Sequence, residues 1–156
     1  ADRKVTPLKF IQGQIWAEGY QTGTLKGHVF DDVLSTFQNL VAQQKRIYIY
    51  SSGSVQAQKL LFGHSIAGDL CSYISGYFDT NIGHKIHEKS YRDIANEIGV
   101  PCYEVLFLTD KISEADAASK AGCQVVILNR PGNPKQPPNR FITWTNFKIS
   151  TSLSEC

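Results

Sequence analysis

The stretch Lys45–Lys59, with the letters KRIYIYSSGSVQAQK, constrains the fold more than any other part of the sequence. An apolar run there passes directly into a Ser/Gly turn and then into a helical segment. The four consecutive β-branched or aromatic residues Ile47–Tyr50 predict a strand that is buried on both faces. Because such strands belong to parallel sheets, the stretch predicts an α/β protein in which this strand leads into a helix.

The turn Ser51–Ser54 places hydroxyl groups and a glycine at the predicted start of that helix. Backbone N–H groups, the hydroxyls and the positive end of the helix dipole converge there, which favours an anion such as phosphate. A simpler interpretation is a capped turn without a ligand. The position of the turn directly after a buried strand favours the anion site.

Helix and strand patterns alternate through the rest of the sequence, which predicts parallel β-α units in a doubly wound sheet covered on both faces. A second buried strand is predicted at Val105–Thr109, and further strands at Gly76–Thr80, Gln124–Leu128 and Phe141–Thr143. Helices are predicted within residues 1–24, from Asp31-Asp32 onwards, at Val55–Phe62, at Leu70–Ile74, from Ser90 to Gly99 and from Ser113 to Gly122. The tail from Ser150 is expected to fray.

Length and charge narrow the class of protein. The 156 residues fit one domain, since domains most often have about 100 to 150 residues. The net charge of +2 is too small and too dispersed to indicate a nucleic-acid or membrane surface. The sequence has neither an apolar run of about 18 residues nor a signal-peptide core, so we expect a soluble protein with a small-molecule partner.

The cysteine and methionine content indicates the cellular context. The four cysteines are widely spaced and form no C-x-x-C pair, which is typical of reduced thiols in a cytosolic protein. His84 and His87 are close in sequence but lack a carboxylate or cysteine partner pattern, so they are weak metal candidates. The sequence contains no Met, so the chain has either lost its initiator or begins within a longer protein.

Polar residues follow two of the predicted strands. Ser51 and Ser52 come after the first strand, and Asp110 comes after the strand Val105–Thr109. Open parallel sheets bind ligands beyond the carboxyl ends of their strands, where these side chains are expected to meet. An anion-binding turn and a carboxylate on one edge predict a phosphate with a divalent cation, because Mg²⁺ prefers carboxylate, phosphate and water oxygens.

Six stretches of the sequence are distinctive: QGQIW (residues 12–16), IYIYSSGS (47–54), QKLLFGHS (58–65), FDTNIGHK (78–85), FLTD (107–110) and RPGN (130–133). In this order and at consistent spacing, they resemble the enolase-phosphatase family, also called acireductone synthases, of the haloacid dehalogenase-like superfamily. The resemblance covers nearly the whole chain and implies a Rossmann-like α/β fold. It also implies Mg²⁺-dependent enolisation and dephosphorylation of 2,3-diketo-5-methylthiopentyl 1-phosphate to an acireductone in methionine salvage.

The resemblance implies a role for each candidate residue. Ser51 is implied to bind the phosphate with Ser52 beside it, Lys85 to neutralise nucleophile and phosphate, and Asp110 to bind Mg²⁺. Without the resemblance, Lys85 would be interpreted as a solvated loop residue. Glu114, one helical turn after Asp110, could support the metal through a water or a hydrogen bond. The alternative is that Glu114 is an ordinary exposed helix residue.

One family motif is absent from the sequence. The family carries an N-terminal strand ending in D-x-E-G-T, whose first Asp is the nucleophile and a metal ligand, and no such motif occurs here. Asp31-Asp32 is no substitute, because it opens a helix rather than following a strand. We therefore expect the C-terminal portion of such an enzyme, lacking the nucleophile strand, with residues 1–26 as a remnant of the helical cap region and residues 27–156 as an incomplete core.

This expectation has consequences for function. The chain alone is expected to be inactive, and an N-terminal segment supplied in trans is one candidate partner. The alternative is a non-catalytic module that binds phosphate or another protein. The resemblance implies a cytoplasmic location, with the nucleus as a second one.

Overall fold

The computed structural model describes residues 6–147 and divides the chain into two compact units, Ala1–Tyr77 and Phe78–Cys156. The predicted frayed tail from Ser150 lies outside the described residues. The proposed boundary between a cap remnant and a core after residue 26 stays a prediction. Among residues 6–147, no helix combines the length and the apolar character needed to cross a membrane.

The first unit is mainly helical. Helix α1 packs against helix α3, and a short 3₁₀ turn contacts α2 and α3. Strands β1 and β2 pair in a two-stranded sheet. The elements are α1 (Thr6–Gln21), α2 (Asp32–Ala42), β1 (Tyr48–Tyr50), α3 (Val55–Gly63), the 3₁₀ turn (Cys71–Tyr73) and β2 (Gly76–Phe78).

Gly27 allows two parts of this unit to approach closely. Its amide donates to the carbonyl of His64 at 2.9 Å, and its carbonyl accepts from the amide of Ile66 at 2.9 Å. A Cβ atom at position 27 would overlap the carbonyl oxygen of Leu61. Only glycine can therefore occupy this position without moving the end of α3.

The second unit contains a parallel sheet with strand order β3-β4-β5 and two helices. Helix α5 packs on β3 and β4 and also against α4. Ala115, Ala118 and Ile127 are completely buried, and the two small alanines let α5 lie close to the sheet. The elements are α4 (Glu88–Ile98), a 3₁₀ turn (Cys102–Glu104), β3 (Leu106–Thr109), α5 (Ile112–Ala121), β4 (Gln124–Leu128) and β5 (Ile142–Trp144).

Strands β3 and β4 are joined through α5 and pair in parallel, with Leu106 opposite Gln124. Strand β5 continues the sheet in parallel, with Val126 opposite Ile142. The predicted α/β fold with parallel strands and covering helices is confirmed.

The predicted burial of two strands is wrong. All three residues of β1 are half-buried, and in β3 only Thr109 is buried. The central strand β4, in contrast, buries Val126 and Ile127. The reason is the position of each strand in its sheet, since β1 has a single partner strand and β3 lies at an edge within the described part of the chain.

Two predicted helix starts are also wrong. Helix α4 begins at Glu88 rather than Ser90, and α5 begins at Ile112 rather than Ser113. Ser90 is only 2% exposed, and its hydroxyl donates to the carbonyl of His84 at 2.8 Å instead of capping a helix. A buried hydroxyl needs a partner, and the loop carbonyl provides it.

The other helix-end predictions have mixed outcomes. Ser54 caps α3 by accepting a hydrogen bond from the amide of Ala57 at 3.2 Å, as the sequence predicts. Gly99 and Gly122 end α4 and α5 in the left-handed conformation, at φ +75° and +98°. Asp31 occupies the N-cap position of α2 without making a side-chain capping bond. Its helical backbone angles explain this, because N-cap residues that cap usually lie in the extended region.

Candidate functional site

The turn Ser51–Ser54 of the first unit is stabilised by side chains of the turn and of helix α3. The hydroxyl of Ser51 accepts from the amide of Gly53 at 3.2 Å. The side-chain amide of Gln58, which is 5% exposed, donates to the carbonyl of Gly53 at 2.8 Å. Ser51 is half-buried and Ser52 is exposed. The turn therefore has a fixed shape at the start of α3, with Ser52 accessible from solvent.

A buried charged cluster lies at the end of β3 in the second unit. The Lys85 ammonium is 2.7 Å from Oε2 of Glu114, and the Thr109 hydroxyl donates to the same oxygen at 2.8 Å. The Thr109 oxygen also accepts from the amide of Lys111 at 3.1 Å, so its only proton is directed to Glu114. Through Glu114, the cluster therefore connects Lys85, a predicted site residue, to Thr109, which directly precedes Asp110.

Glu114 is 5% exposed, so the interpretation of this residue as an exposed helix side chain is wrong. It lies in the first turn of α5, which packs against β3. Burying a carboxylate is costly unless a positive charge and hydrogen bonds compensate it. Lys85 and Thr109 provide that compensation here.

The loop before α4 positions Lys85. Gly83 has φ +138°, and a Cβ atom there would overlap the hydroxyl of Ser90, so the position requires glycine. The hydroxyl of Tyr91 donates to the carbonyl of Lys85 at 2.6 Å. The Lys85 ammonium lies 6.0 Å from the ring centroid of Phe107. The Lys85 side chain is 23% exposed, so its ammonium can meet both Glu114 and a ligand from solvent.

Asp110 follows β3 and is half-buried. The side-chain amide of Asn133 donates to Oδ2 of Asp110 at 2.9 Å, and the side-chain amide of Gln136 donates to its main-chain carbonyl at 2.8 Å. Sequence reasoning missed both residues, although Asn133 belongs to one of the matched stretches. The available signal was the position of Asn133 after β4, because neighbouring parallel strands end at the same edge of a sheet.

Among the described residues, Asp110 is the candidate metal ligand at the end of β3. The described residues contain no group of three or more His, Cys, Asp or Glu side chains that could hold a metal ion. Glu114 is occupied by Lys85 and Thr109, whereas Asp110 offers a carboxylate at the expected edge. The rings of His84 and His87 pack edge to face at 5.6 Å. Asp110 thus offers one carboxylate oxygen of the kind that Mg²⁺ prefers, and its role as a metal ligand stays a prediction.

The structure brings Lys85 and Glu114 together with the end of β3. Ser51 and Ser52 belong to the first unit and Asp110 to the second. A common cleft formed by Ser51, Ser52, Lys85 and Asp110 therefore stays a prediction.

Comparison with known proteins identifies the class. The family model of haloacid dehalogenase-like hydrolases matches residues 3–122. Because this match covers most of the sequence, the chain belongs to the haloacid dehalogenase-like hydrolases.

Among individual relatives, the chain is 58% identical to Enolase-phosphatase E1 of Drosophila mojavensis over 99% of this chain and 63% of that protein. The chain therefore spans less than two thirds of the length of this relative. The sequence resemblance to enolase-phosphatases is confirmed.

Two solved structures support the fold. The UTR4 protein of Saccharomyces cerevisiae superposes with a TM-score of 0.84 at 42% identity, covering 94% of this chain and 68% of that chain. CbbY of Rhodobacter sphaeroides, solved with phosphate, gives a TM-score of 0.75 at 12% identity, covering 94% of this chain and 66% of that chain. At such low identity the second comparison concerns the fold alone.

Proposed function

We propose that this chain contributes the substrate- and metal-binding residues of an enolase-phosphatase. The reaction would be the Mg²⁺-dependent enolisation of 2,3-diketo-5-methylthiopentyl 1-phosphate, followed by removal of its phosphate to give an acireductone. The observation that carries the proposal is the Lys85–Glu114 pair at the end of β3, next to Asp110. Similarity to enolase-phosphatases supports the choice of substrate. The proposed location is the cytoplasm, with the nucleus as a second one.

Ser51 and Ser52 would bind the substrate phosphate. The Ser51 oxygen accepts from the amide of Gly53 at 3.2 Å, so its own proton can be donated to a phosphate oxygen. Ser52 is exposed and lies next to it. The N-terminus of α3 adds a favourable dipole for the negative charge.

Lys85 would neutralise the phosphate and the nucleophile. An ammonium has three donors, so its bond to Glu114 does not prevent a second bond to a phosphate oxygen. At about 4 Å, and with an effective dielectric constant of about 20, that contact would gain about 4 kcal/mol before desolvation is subtracted. Glu114 would hold the Lys85 ammonium in position through their 2.7 Å contact.

Asp110 would contribute one oxygen ligand to Mg²⁺. The cation would supply positive charge against the phosphate when bound. The carboxylate of Asp110 would share this role with phosphate and water oxygens, as Mg²⁺ sites commonly do.

The proposed chemistry also needs a carboxylate that accepts the phosphoryl group as an aspartyl-phosphate. The sequence lacks the D-x-E-G-T motif that carries it in the family. We therefore expect no turnover by this chain alone, and turnover when an N-terminal segment with that motif is added in trans. Loss of a covalent nucleophile in a well-studied hydrolase reduced turnover by about 10⁶.

The test is a phosphate-release assay with Mg²⁺ on the chain alone and on the chain plus the N-terminal segment. Asp110→Asn in the complemented sample is expected to abolish release. Strong release by the chain alone, abolished by Asp110→Asn, would instead show that a carboxylate of this chain acts as the nucleophile, and would refute the expected inactivity of the chain.

The second candidate is a non-catalytic module that binds phosphate or a protein. The missing D-x-E-G-T motif motivates it. This candidate predicts inorganic phosphate binding that depends on Ser51, with no turnover even after complementation. The complementation assay therefore distinguishes the two functions.

A further inference from the structure

Asp110 receives hydrogen bonds from two residues of the loop between β4 and β5. Asn133 contacts its carboxylate at 2.9 Å and Gln136 contacts its main-chain carbonyl at 2.8 Å. Both contacts link positions more than twenty residues apart in sequence. The loop thus determines the position of both the backbone and the side chain of Asp110.

The amide group of Asn133 is fixed at both ends. Its Oδ1 accepts from the amide of Arg130 at 2.7 Å, and its Nδ2 donates to Oδ2 of Asp110 at 2.9 Å. No other assignment of oxygen and nitrogen is consistent, because a backbone N–H needs an acceptor and an ionised carboxylate only accepts. Since the side-chain amide is planar, the first bond fixes the direction of the second.

The turn that contains Asn133 begins at a buried residue, Arg130. The amide of Asn133 donates to the carbonyl of Arg130 at 3.0 Å, which closes the turn. Arg130 is 9% exposed, donates to the carbonyl of Thr145 at 3.0 Å, and lies 5.0 Å from the ring centroid of Phe147. The donor to Asp110 therefore comes from an anchored turn rather than from an unsupported loop tip.

Only one oxygen of the Asp110 carboxylate, Oδ2, receives a side-chain hydrogen bond within residues 6–147. We propose that Asn133 is a positioning residue, which fixes the carboxylate of Asp110 so that Oδ1 can bind a divalent cation. This inference rests on the proposed function, in which Asp110 is a metal ligand. Residues that orient a metal ligand commonly change metal affinity by about 10–100-fold when substituted.

Asn139 provides a matched control in the same loop. Its side chain donates to the carbonyl of Pro137 at 3.3 Å and accepts from the amide of Phe141 at 2.9 Å. Like Asn133, it stabilises a local turn, but these contacts do not include Asp110. A purely structural role of Asn133 would therefore give the same results for both asparagines.

The experiment measures Mn²⁺ binding to the 156-residue chain by water-proton relaxation, in the presence of inorganic phosphate. Asn133→Ser keeps a shorter side-chain acceptor for the turn but cannot reach Asp110. We expect Asn133→Ser to weaken Mn²⁺ binding at least about tenfold and Asn139→Ser to change it less than about twofold. The two variants are expected to have melting temperatures within a few degrees of each other.

A second measurement needs no substituted protein. In a Mg²⁺ titration followed by ¹H–¹⁵N NMR, the side-chain amide of Asn133 is expected to shift while that of Asn139 does not. Equal shifts of the two amides would overturn the proposal even if Asn133→Ser failed to fold.

The outcomes separate this inference from the proposed function. If Asp110→Asn abolishes Mn²⁺ binding but Asn133→Ser does not weaken it, the positioning role is overturned and Asp110 remains a ligand. If the unsubstituted chain does not bind Mn²⁺, or Asp110→Asn binds it unchanged, the cation site itself is overturned, and the positioning role with it.

Discussion

At the scale of single residues, the ion pair between Lys85 and Glu114 differs from the other ion pairs of the described chain. The Glu114 side chain is 6% exposed, whereas Lys89 and Asp93, which form an exposed pair on α4, are 80% and 33% exposed. Removing one partner of a buried pair leaves an uncompensated charge in a region of low dielectric constant. Breaking the Lys85–Glu114 pair is therefore expected to lower the free energy of unfolding more than breaking the Lys89–Asp93 pair.

Lys85→Met is expected to lower the free energy of unfolding by about 3 kcal/mol, at the low end of the range for buried pairs because Lys85 is partly exposed. The matched variant Lys89→Met breaks an exposed pair and is expected to cost less than about 1 kcal/mol. Urea unfolding of both variants measures the difference. Similar losses in the two variants would show that burial of Glu114 does not depend on Lys85.

Cys123 gives a pH-dependent prediction. Burial, followed by the nearby Cys102 thiol, raises the pKa of Cys123 from 9.0 to about 12. The folded state therefore keeps this thiol protonated at pH values where the unfolded chain loses the proton. The contribution to stability is complete below about pH 9 and is lost as the pH rises towards about 12.

Cys123→Ala is expected to show a smaller loss of stability between about pH 9 and 11 than the unsubstituted chain. Thermal unfolding across this pH range measures the slope, and Cys71→Ala serves as the control for removal of a thiol elsewhere. An identical slope in Cys123→Ala would mean that the thiol ionises equally in both states.

Single residues also show how far sequence reasoning extends. Lys85 and Asp110 were predicted as site residues because they lie in recognisable motifs, although their roles stay predictions. The burial of Glu114 could not be predicted, since it depends on a lysine 29 positions earlier in the chain. Asn133 follows β4 and could have been considered for this edge of the sheet, but its contact with Asp110, 23 positions away, is not visible in the sequence.

At the scale of elements, the strands were predicted correctly in type but not in burial. Local composition indicates a strand, whereas burial depends on which neighbours flank it in the sheet. Strand β4 lies between two partners, while β1 and β3 each have one in the described part of the chain. Strand edges without a partner expose N–H and C=O groups to solvent.

Hydrogen exchange is therefore expected to show weaker protection in Ile47–Tyr50 and Val105–Thr109 than in the central strand Gln124–Leu128. The measurement is amide exchange followed by mass spectrometry or NMR on a sample shown to be monomeric. Equal protection of all three strands in that monomer would contradict the prediction.

At the scale of the whole molecule, the chain spans 63% of the Drosophila mojavensis relative, and within residues 6–147 strands β1 and β3 each pair with a single strand. A segment that binds the folded chain, and not the unfolded chain, raises its stability through linkage. The N-terminal segment carrying the D-x-E-G-T motif should therefore stabilise the fold as well as restore turnover.

A 100-fold excess of that segment over its dissociation constant is expected to add about 2.7 kcal/mol, or roughly 5–10 °C in melting temperature. Differential scanning fluorimetry measures the shift. A segment of the same composition in scrambled order is the control and should leave the melting temperature unchanged. Restored turnover without any thermal shift would contradict a stabilising association.

Gly27 and Gly53 differ in the space available for a side chain, so we expect them to differ in the substitutions that they tolerate. A methyl group at position 27 would overlap the carbonyl oxygen of Leu61, whereas one at position 53 would meet only the Ser51 hydroxyl, at 3.7 Å. In a saturation library under selection for folding, we expect codon 27 to retain only synonymous changes, while alanine codons accumulate at 53. A substitution at Gly27, which lies outside the Ser51–Ser54 turn, would therefore be more damaging to the protein than a substitution at Gly53.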